Sequence, residues 1–500
     1  MFSGSEEERK SANMEPQNHD GLKKSAFGGM VWKLSERVCA RLVSLAVSIV
    51  LARILVPEDY SLVSIVAIFF VFCNVFISGG LNTALIQKKD ADALDYSTVL
   101  WATLAVALVM YAGMFACAPL IAGLYDKPQL VPVIRVMGLT FFINAFKSVL
   151  SAYTSSHLQF RKFFFSTIIG TAVSAVIGIG MALRGFGAWA LVAQEMSNSL
   201  IDTLVLLITT RLRLRTAFSA QRLRGLFAYG SKNFLSSIIT VIYDQVNPLI
   251  VGLRFSTADL AYYTKGKSFP DLVNSTLSDT MAAVLFPVMS KIQDNLDDVR
   301  GVTRRYIKTA SYVLFPVMLG MFAVSDSFLL LLLTEKWLPA AVYIRIFCVS
   351  CMFNLINVGN IQAIRAIGRS DIVLILEILK KSIYFVVLAA FVFLSGRPQI
   401  LAVSSIVTTL IAVVINTFPN RKLIGYRYRW QLADILPNLI LSGVMCVVVV
   451  LMGQLPMDTK LLLPMQIIVG VAVYVGLSLA TKNESFHYLL DYGKQIFKRG

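Results

Sequence analysis

The chain has 500 residues, of which 56% are hydrophobic and 15% charged, at a mean hydropathy of +0.69. Soluble domains run about 45–50% apolar and about 25% charged, so a water-soluble fold is excluded. The net charge of +17 does not point to nucleic acid, because the Lys and Arg fall in short loops between long apolar runs, where orientation in a bilayer accounts for them.

In chain order, residues 1–24 carry Glu6-Glu7-Glu8-Arg9-Lys10, are too polar for a signal-peptide core, and read as a cytoplasmic tail. A spanning helix needs about 20 mostly apolar residues. Fourteen such stretches follow: Gly29–Leu55, Tyr60–Leu81, Tyr96–Leu120, Val131–Ala152, Phe164–Leu183, Ala188–Thr210, Phe227–Leu253, Leu260–Phe286, Tyr306–Leu333, Ala340–Ile364, Ile372–Leu394, Ile400–Pro419, Ala433–Met452 and Leu461–Ala480. The expected fold is an all-α integral membrane protein of about 14 transmembrane helices.

Cytoplasmic loops collect Lys and Arg. Alternate connections do so here: Lys88 and Lys89, Arg161 and Lys162, Arg211 to Arg224, Lys291 to Arg305, Arg365 and Arg369, Arg421 to Arg429, and Lys482 onward. The other set holds little more than Lys127, Arg184, Arg254, Lys336, Arg397 and Lys460. This asymmetry supports an even number of spans with both termini cytoplasmic. The connections on the far side are all short, which leaves no room for an external catalytic domain.

An internal repeat divides the spans. Asp126-Lys127-Pro128 with Ile134-Arg135 is matched 210 residues on by Glu335-Lys336-Trp337-Leu338-Pro339 with Ile344-Arg345, and Arg53 and Glu58 are matched 201 residues on by Arg254 and Asp259. Two six-helix halves in parallel orientation follow, around a central cavity. The expected organisation is a tail (1–24), an N-terminal half (25–210), a basic cytoplasmic linker (211–225), a C-terminal half (226–420), two further transmembrane helices (421–480) and a cytoplasmic tail (481–500).

Ionisable groups inside membrane helices are costly and usually face a wet cavity. Lys33, Arg37, Arg41, Ser44 and Ser48 share one face of the first helix; Asn233, Ser237, Thr240, Asp244 and Asn247 share one of the seventh; Lys267, Asp271, Asn274, Ser275 and Ser278 share one of the eighth. Lys265 lies on roughly the opposite face. Lys267 and Asp271 also have ion-pair spacing, so a structural role stands beside a functional one. Glu377, Lys380 and Lys381 lie about ten residues into the eleventh stretch and either line the cavity or place that helix's start in the cytoplasm. Cys348 and Cys351 read as small buried residues. Scattered histidines (His19, His157, His487) and the lack of a GxxxxGK[ST] loop leave no catalytic residue, metal or cofactor to expect.

Four stretches then carry a resemblance: Leu51-Ala52-Arg53-Ile54-Leu55-Val56-Pro57-Glu58-Asp59-Tyr60, Gly80-Leu81-Asn82-Thr83-Ala84-Leu85-Ile86-Gln87, Gly185-Phe186-Gly187-Ala188-Trp189-Ala190-Leu191-Val192-Ala193-Gln194 and Leu285-Phe286-Pro287. The chain, from about Gly29 to Leu423, resembles the polysaccharide flippases of the multidrug/oligosaccharidyl-lipid/polysaccharide exporter superfamily, especially the colanic-acid and teichuronic-acid exporter branch. It departs from that branch at Asn247, where an Asp is usual, with Asp244 one turn earlier.

The resemblance implies a bacterial plasma (inner) membrane protein, not an enzyme. It would move an undecaprenyl-diphosphate-linked oligosaccharide outward for surface polysaccharide synthesis by alternating access, among membrane lipids and other polysaccharide assembly proteins. Arg37 and Arg41 would capture the diphosphate, Lys267 would be a second cationic station, Lys33 and Lys380 would add charge, and Asp244, Asn247, Asp271 and Glu377 would be polar cavity or ion-coupling groups. Rival functions are a drug or cation antiporter of the same superfamily, a polysaccharide polymerase or ligase, and a passive assembly scaffold.

Overall fold

The computed structural model describes residues 39–78, 80–88, 90–210, 212, 216–394 and 396–499, and the long elements among them are all helical. Hydrocarbon offers no partner for peptide groups, so an apolar segment that crosses it closes its hydrogen bonds within a helix. In order these are α1 (39–54), α2 (Pro57–Ser78), α3 (Leu81–Gln87), α4 (Ala93–Leu124), α5 (Leu130–Met137), α6 (Thr140–Ser156), α7 (Phe160–Leu183), α8 (Ala188–Thr210), α9 (Ala220–Arg254), α10 (Thr257–Ser290), α11 (Leu296–Leu332), α12 (Ala340–Met352), α13 (Asn354–Ala366), α14 (Ser370–Leu394), α15 (Pro398–Leu423), α16 (Tyr428–Met452), α17 (Thr459–Ala480) and α18 (Glu484–Arg499).

Among the described residues, twelve stretches are long and apolar enough to cross a membrane. Two more of the expected fourteen differ in kind. For α1 only residues 39–54 are described, and α14 is interrupted by Glu377, Lys380 and Lys381. Hydropathy also hid three breaks. The second segment ends at Ser78 and resumes as α3, the fourth divides into α5 and α6, and the tenth divides into α12 and α13 at Phe353. At the α5–α6 break the Tyr111 ring lies 2.7 Å from where a Gly138 Cβ would stand, so the glycine admits the ring.

Side chains that accept from the first-turn N–H groups start several helices. Asp92 and Asp95 form a capping box on α4, Ser256 and Asp259 form one on α10, and Asn295 caps α11. The residues of the repeat serve helix ends as well. Arg53 donates to the Leu331 and Leu332 carbonyls at the end of α11, and Arg254 donates to the Val392 carbonyl at 2.5 Å.

By internal packing the chain divides into two compact units. Unit 1 comprises Met1–Leu51, described from residue 39, and Phe69–Ile242; unit 2 comprises Ala52–Ile68 and Tyr243–Gly500. In unit 1, α7 packs along α8 through a buried ladder of Ser166, Gly170, Ser174, Gly178 and Ala182, every fourth residue. A Cβ at Gly178 would stand 2.9 Å from Gln194 Cβ, and one at Gly170 3.0 Å from Asp202 Cβ. Close backbone approach through small residues is how helices associate where no hydrophobic effect separates them from lipid. Gly80, at φ +69°, meets Gly230 so closely that a Cβ would fall 2.2 Å from its carbonyl oxygen.

In unit 2, α11 packs against α12, α13, α16 and α17, while α10 packs on α12 and α13 and α14 on α15. Gly266 lets α10 approach α12, since its Cβ would sit 2.5 Å from Tyr343 Cβ. Trp337 is fully buried there and donates through Nε1 to the Ala52 carbonyl at 2.8 Å.

Candidate functional site

The polar stripe expected on the seventh helix divides. Asn233 donates to Thr83 at 2.9 Å within unit 1, whereas Asp244 and Asn247 belong to unit 2. There they join Lys267, Asp271 and Asn274 of α10 around a cavity of about 270 Å³ completed by Tyr243, Tyr263, Phe347, Ser350, Cys351, Asn354, Tyr384, Ser405, Thr408 and Thr409. A second cavity of about 180 Å³ is lined by Glu377, Lys380, Lys381, Asn357 and Asn416. The two share Tyr243, Asn354, Tyr384, Thr408 and Thr409 and form one polar tract inside unit 2.

Charge in this tract is balanced. Lys267, Lys380 and Lys381 line it against Asp244, Asp271 and Glu377, three of each sign. Lys267 Nζ lies 3.9 Å from Asp271 Oδ2, and Lys380 Nζ lies 2.7 Å from Glu377 Oε1. Asp271 also accepts from the Cys351 thiol at 3.5 Å, so that cysteine orients a carboxylate.

Amides and hydroxyls dominate the rest of the lining. Asn354 donates to Asn274 at 3.2 Å and to Ser278 at 3.3 Å, Asn416 donates to Asn357 at 2.8 Å, and Ser350 donates to the Ser405 carbonyl at 3.1 Å. Asn247 Oδ1 and Asn416 Oδ1 are buried with no hydrogen-bond partner among the described residues. Buried acceptors are costly to leave unpaired. Both residues line the polar tract. The Tyr243 and Tyr384 rings, 4.2 Å apart at 46°, bridge the two cavities.

Arg41, half-buried, belongs to unit 1, and Lys33 and Arg37 lie outside the described residues. Lys265 is buried, with Nζ 4.7 Å from the Tyr60 ring centre and 5.6 Å from that of Trp337, while Lys267 lines the cavity. The two lysines thus face opposite ways across α10. Among the described residues no group of His, Cys, Asp or Glu could hold a metal ion.

Residues 50–342 match the polysaccharide biosynthesis protein family, more than half of the chain. The chain belongs to that family. It is 23% identical over 452 residues to the lipopolysaccharide biosynthesis protein WzxC of Escherichia coli (strain K12), covering 87% of this chain and 90% of that one. It is 26% identical over 288 residues to the succinoglycan biosynthesis transport protein ExoT of Rhizobium meliloti (strain 1021), a match that spans only 58% of either chain. Among solved structures, the lipid II flippase MurJ in an inward closed conformation shares the fold at a TM-score of 0.75 and 14% identity, covering 90% of this chain and 98% of that one. An inward-facing multidrug resistance MATE transporter of the MOP superfamily gives 0.61 at 14%, covering 79% and 98%.

In this polysaccharide biosynthesis protein, sequence reasoning passed over an ion pair in unit 1. Lys147 of α6 lies 2.7 Å from Asp202 of α8. The signal was present, since Lys147 is the single charge of α6 and Asp202 is one of two carboxylates on the otherwise uncharged α8. It also passed over the amides of α13, Asn354, Asn357 and Asn360, which recur at three-residue spacing and so share a face.

Proposed function

We propose that the protein is a flippase that moves a lipid-linked oligosaccharide from the cytoplasmic to the outer leaflet of the bacterial plasma membrane, without catalysis. The saccharide occupies the polar tract of unit 2, and capture of the diphosphate, a separate step, falls to Arg37 and Arg41 with Lys33. The balanced charge of the tract carries this division. A diphosphate needs surplus cations, and each lysine there is matched by a carboxylate. Neutral sugars need hydrogen-bond partners and flat apolar surfaces, which the unpaired Asn247 and Asn416 oxygens, the hydroxyls of α15 and the Tyr243–Tyr384 pair supply. Lys267 accordingly positions Asp271 instead of holding phosphate.

The likeness to a lipid II flippase and the membership of a polysaccharide biosynthesis family support a lipid-linked substrate. Alternating access would carry the head group across, while the prenyl chain stays in lipid. The test is binding of the oligosaccharide, released from its lipid carrier, to the protein in nanodiscs. Tyr384→Ala and Asn247→Leu should each weaken binding about three- to tenfold, the worth of a stacking contact or a neutral hydrogen bond, and Arg41→Ala should leave it unchanged. Unweakened binding in both cavity variants would remove the saccharide from this tract. Saturable uptake of small organic cations that survives loss of Arg37 and Arg41 would favour an antiporter.

A further inference from the structure

A larger cavity lies elsewhere in unit 2 and shares no lining residue with the polar tract. It measures about 730 Å³ and lies between α11, α16 and the turn joining α17 to α18. An adjoining cavity of about 390 Å³ shares Lys308, Glu484 and Ser485 with it and adds Arg304 and Arg305. We propose that this pocket binds the phosphate headgroup of an anionic phospholipid, with one acyl chain lying along the outer face of α16.

Its charge favours an anion. The carboxylates that face it are Asp434 and Glu484. Asp434 accepts from Arg304 Nε and Nη2 and from the Tyr426 hydroxyl, each at 2.8 Å, and Lys308 Nζ lies 3.5 Å from it and 2.7 Å from Glu484. Arg304 and Lys308 therefore balance the two carboxylates. Arg305 and Lys482, both exposed, make no ion pair among the described residues, and Arg305 only overlies the Tyr488 ring at 5.0 Å. They leave a surplus of two positive charges at the mouth. Lys482 stands at φ +50°, a left-handed position where glycine is usual, just past the end of α17.

The apolar wall makes the ligand a lipid and not a free anion. Leu436 and Ile440 line the pocket, and the same face of α16 continues through Val444, Val447 and Leu451, all of them between 42% and 59% exposed. That outward stripe covers 15 residue steps, about 22 Å, enough for one extended acyl chain. Basic side chains directly above a lipid-facing apolar stripe form the arrangement that holds an anionic headgroup at a membrane surface.

The full-length protein, delipidated in detergent, is titrated with phosphatidylglycerol or phosphatidylcholine, and bound lipid is counted by native mass spectrometry. Phosphatidylglycerol should bind in preference. Arg305→Gln and Lys482→Gln should each weaken it about fivefold, the worth of one basic residue near an anionic surface, and Ile440→Asn should weaken both lipids. Arg161→Gln/Lys162→Gln, at basic residues of unit 1, should leave the preference intact. Equal loss in that control would reduce the site to general surface charge. Displacement of the lipid by millimolar inorganic phosphate would make it an anion site, and either result would overturn the proposal.

Discussion

The contact between α11 and α16 includes one buried carboxylate, whose removal has a calculable cost. Asp434 is 4% exposed and receives two N–H bonds from Arg304, one O–H bond from Tyr426 and a further charge from Lys308. Asp434→Ala strands all of these donors. Breaking a buried ion pair costs about 3–5 kcal/mol, but the Arg304 and Lys308 side chains are 37% and 29% exposed and can turn toward water. That partial exposure lowers the figure to about 2–3 kcal/mol. Arg304→Ala leaves Asp434 with Tyr426 and Lys308 and should cost about 2 kcal/mol. The double variant should cost little more than the worse single, a coupling of about 2 kcal/mol. Equilibrium unfolding in mixed micelles measures all four states. Additive losses, or an Asp434→Ala protein as stable as the parent, would refute the pairing as a tie between these helices.

Gly178→Leu should separate α7 from α8, because even a Cβ there would lie 2.9 Å from Gln194 Cβ; thermal denaturation in detergent should show a loss of about 1–3 kcal/mol, and an unchanged midpoint would contradict the small-residue ladder. The Asp92 carboxyl is held below its usual range by the Asp95 N–H that it accepts and by Arg222. Its contribution is therefore complete above the unfolded value, about pH 4, and is lost as pH falls through the lower folded value. Hydrogen exchange at the Asp95 amide, corrected for its intrinsic rate, should follow that course, and a flat profile would remove the charge from the cap. Arg41→Ala should lower export of the lipid-linked substrate by tenfold or more while membrane insertion is normal, and wild-type export would take Arg41 out of the transport path.

Much of the architecture was legible because hydrocarbon imposes a length and a polarity on each span. The breaks at Ser78, Gly138 and Phe353 were not, since hydropathy averages over the turn where a helix stops and resumes. Within the site, short-range spacing was informative: Lys267 with Asp271 and Glu377 with Lys380 are one helical turn apart in sequence and are paired in space. The charge balance of the tract was not legible, because it depends on bringing α9, α10 and α14 together. Tyr243 and Tyr384 lie 141 positions apart, and Arg304 and Asp434 are separated by 130. Long-range partners of that kind become visible only once the fold has placed them.

The most direct measurement is the leaflet distribution of the lipid-linked oligosaccharide in the protein's own cell after its depletion. A flippase predicts that the intact lipid-linked oligosaccharide accumulates on the cytoplasmic leaflet, protected from an impermeant reagent added outside, and that surface polysaccharide falls in step. Continued appearance of the oligosaccharide on the outer leaflet at the normal rate, with the protein gone, would contradict the account.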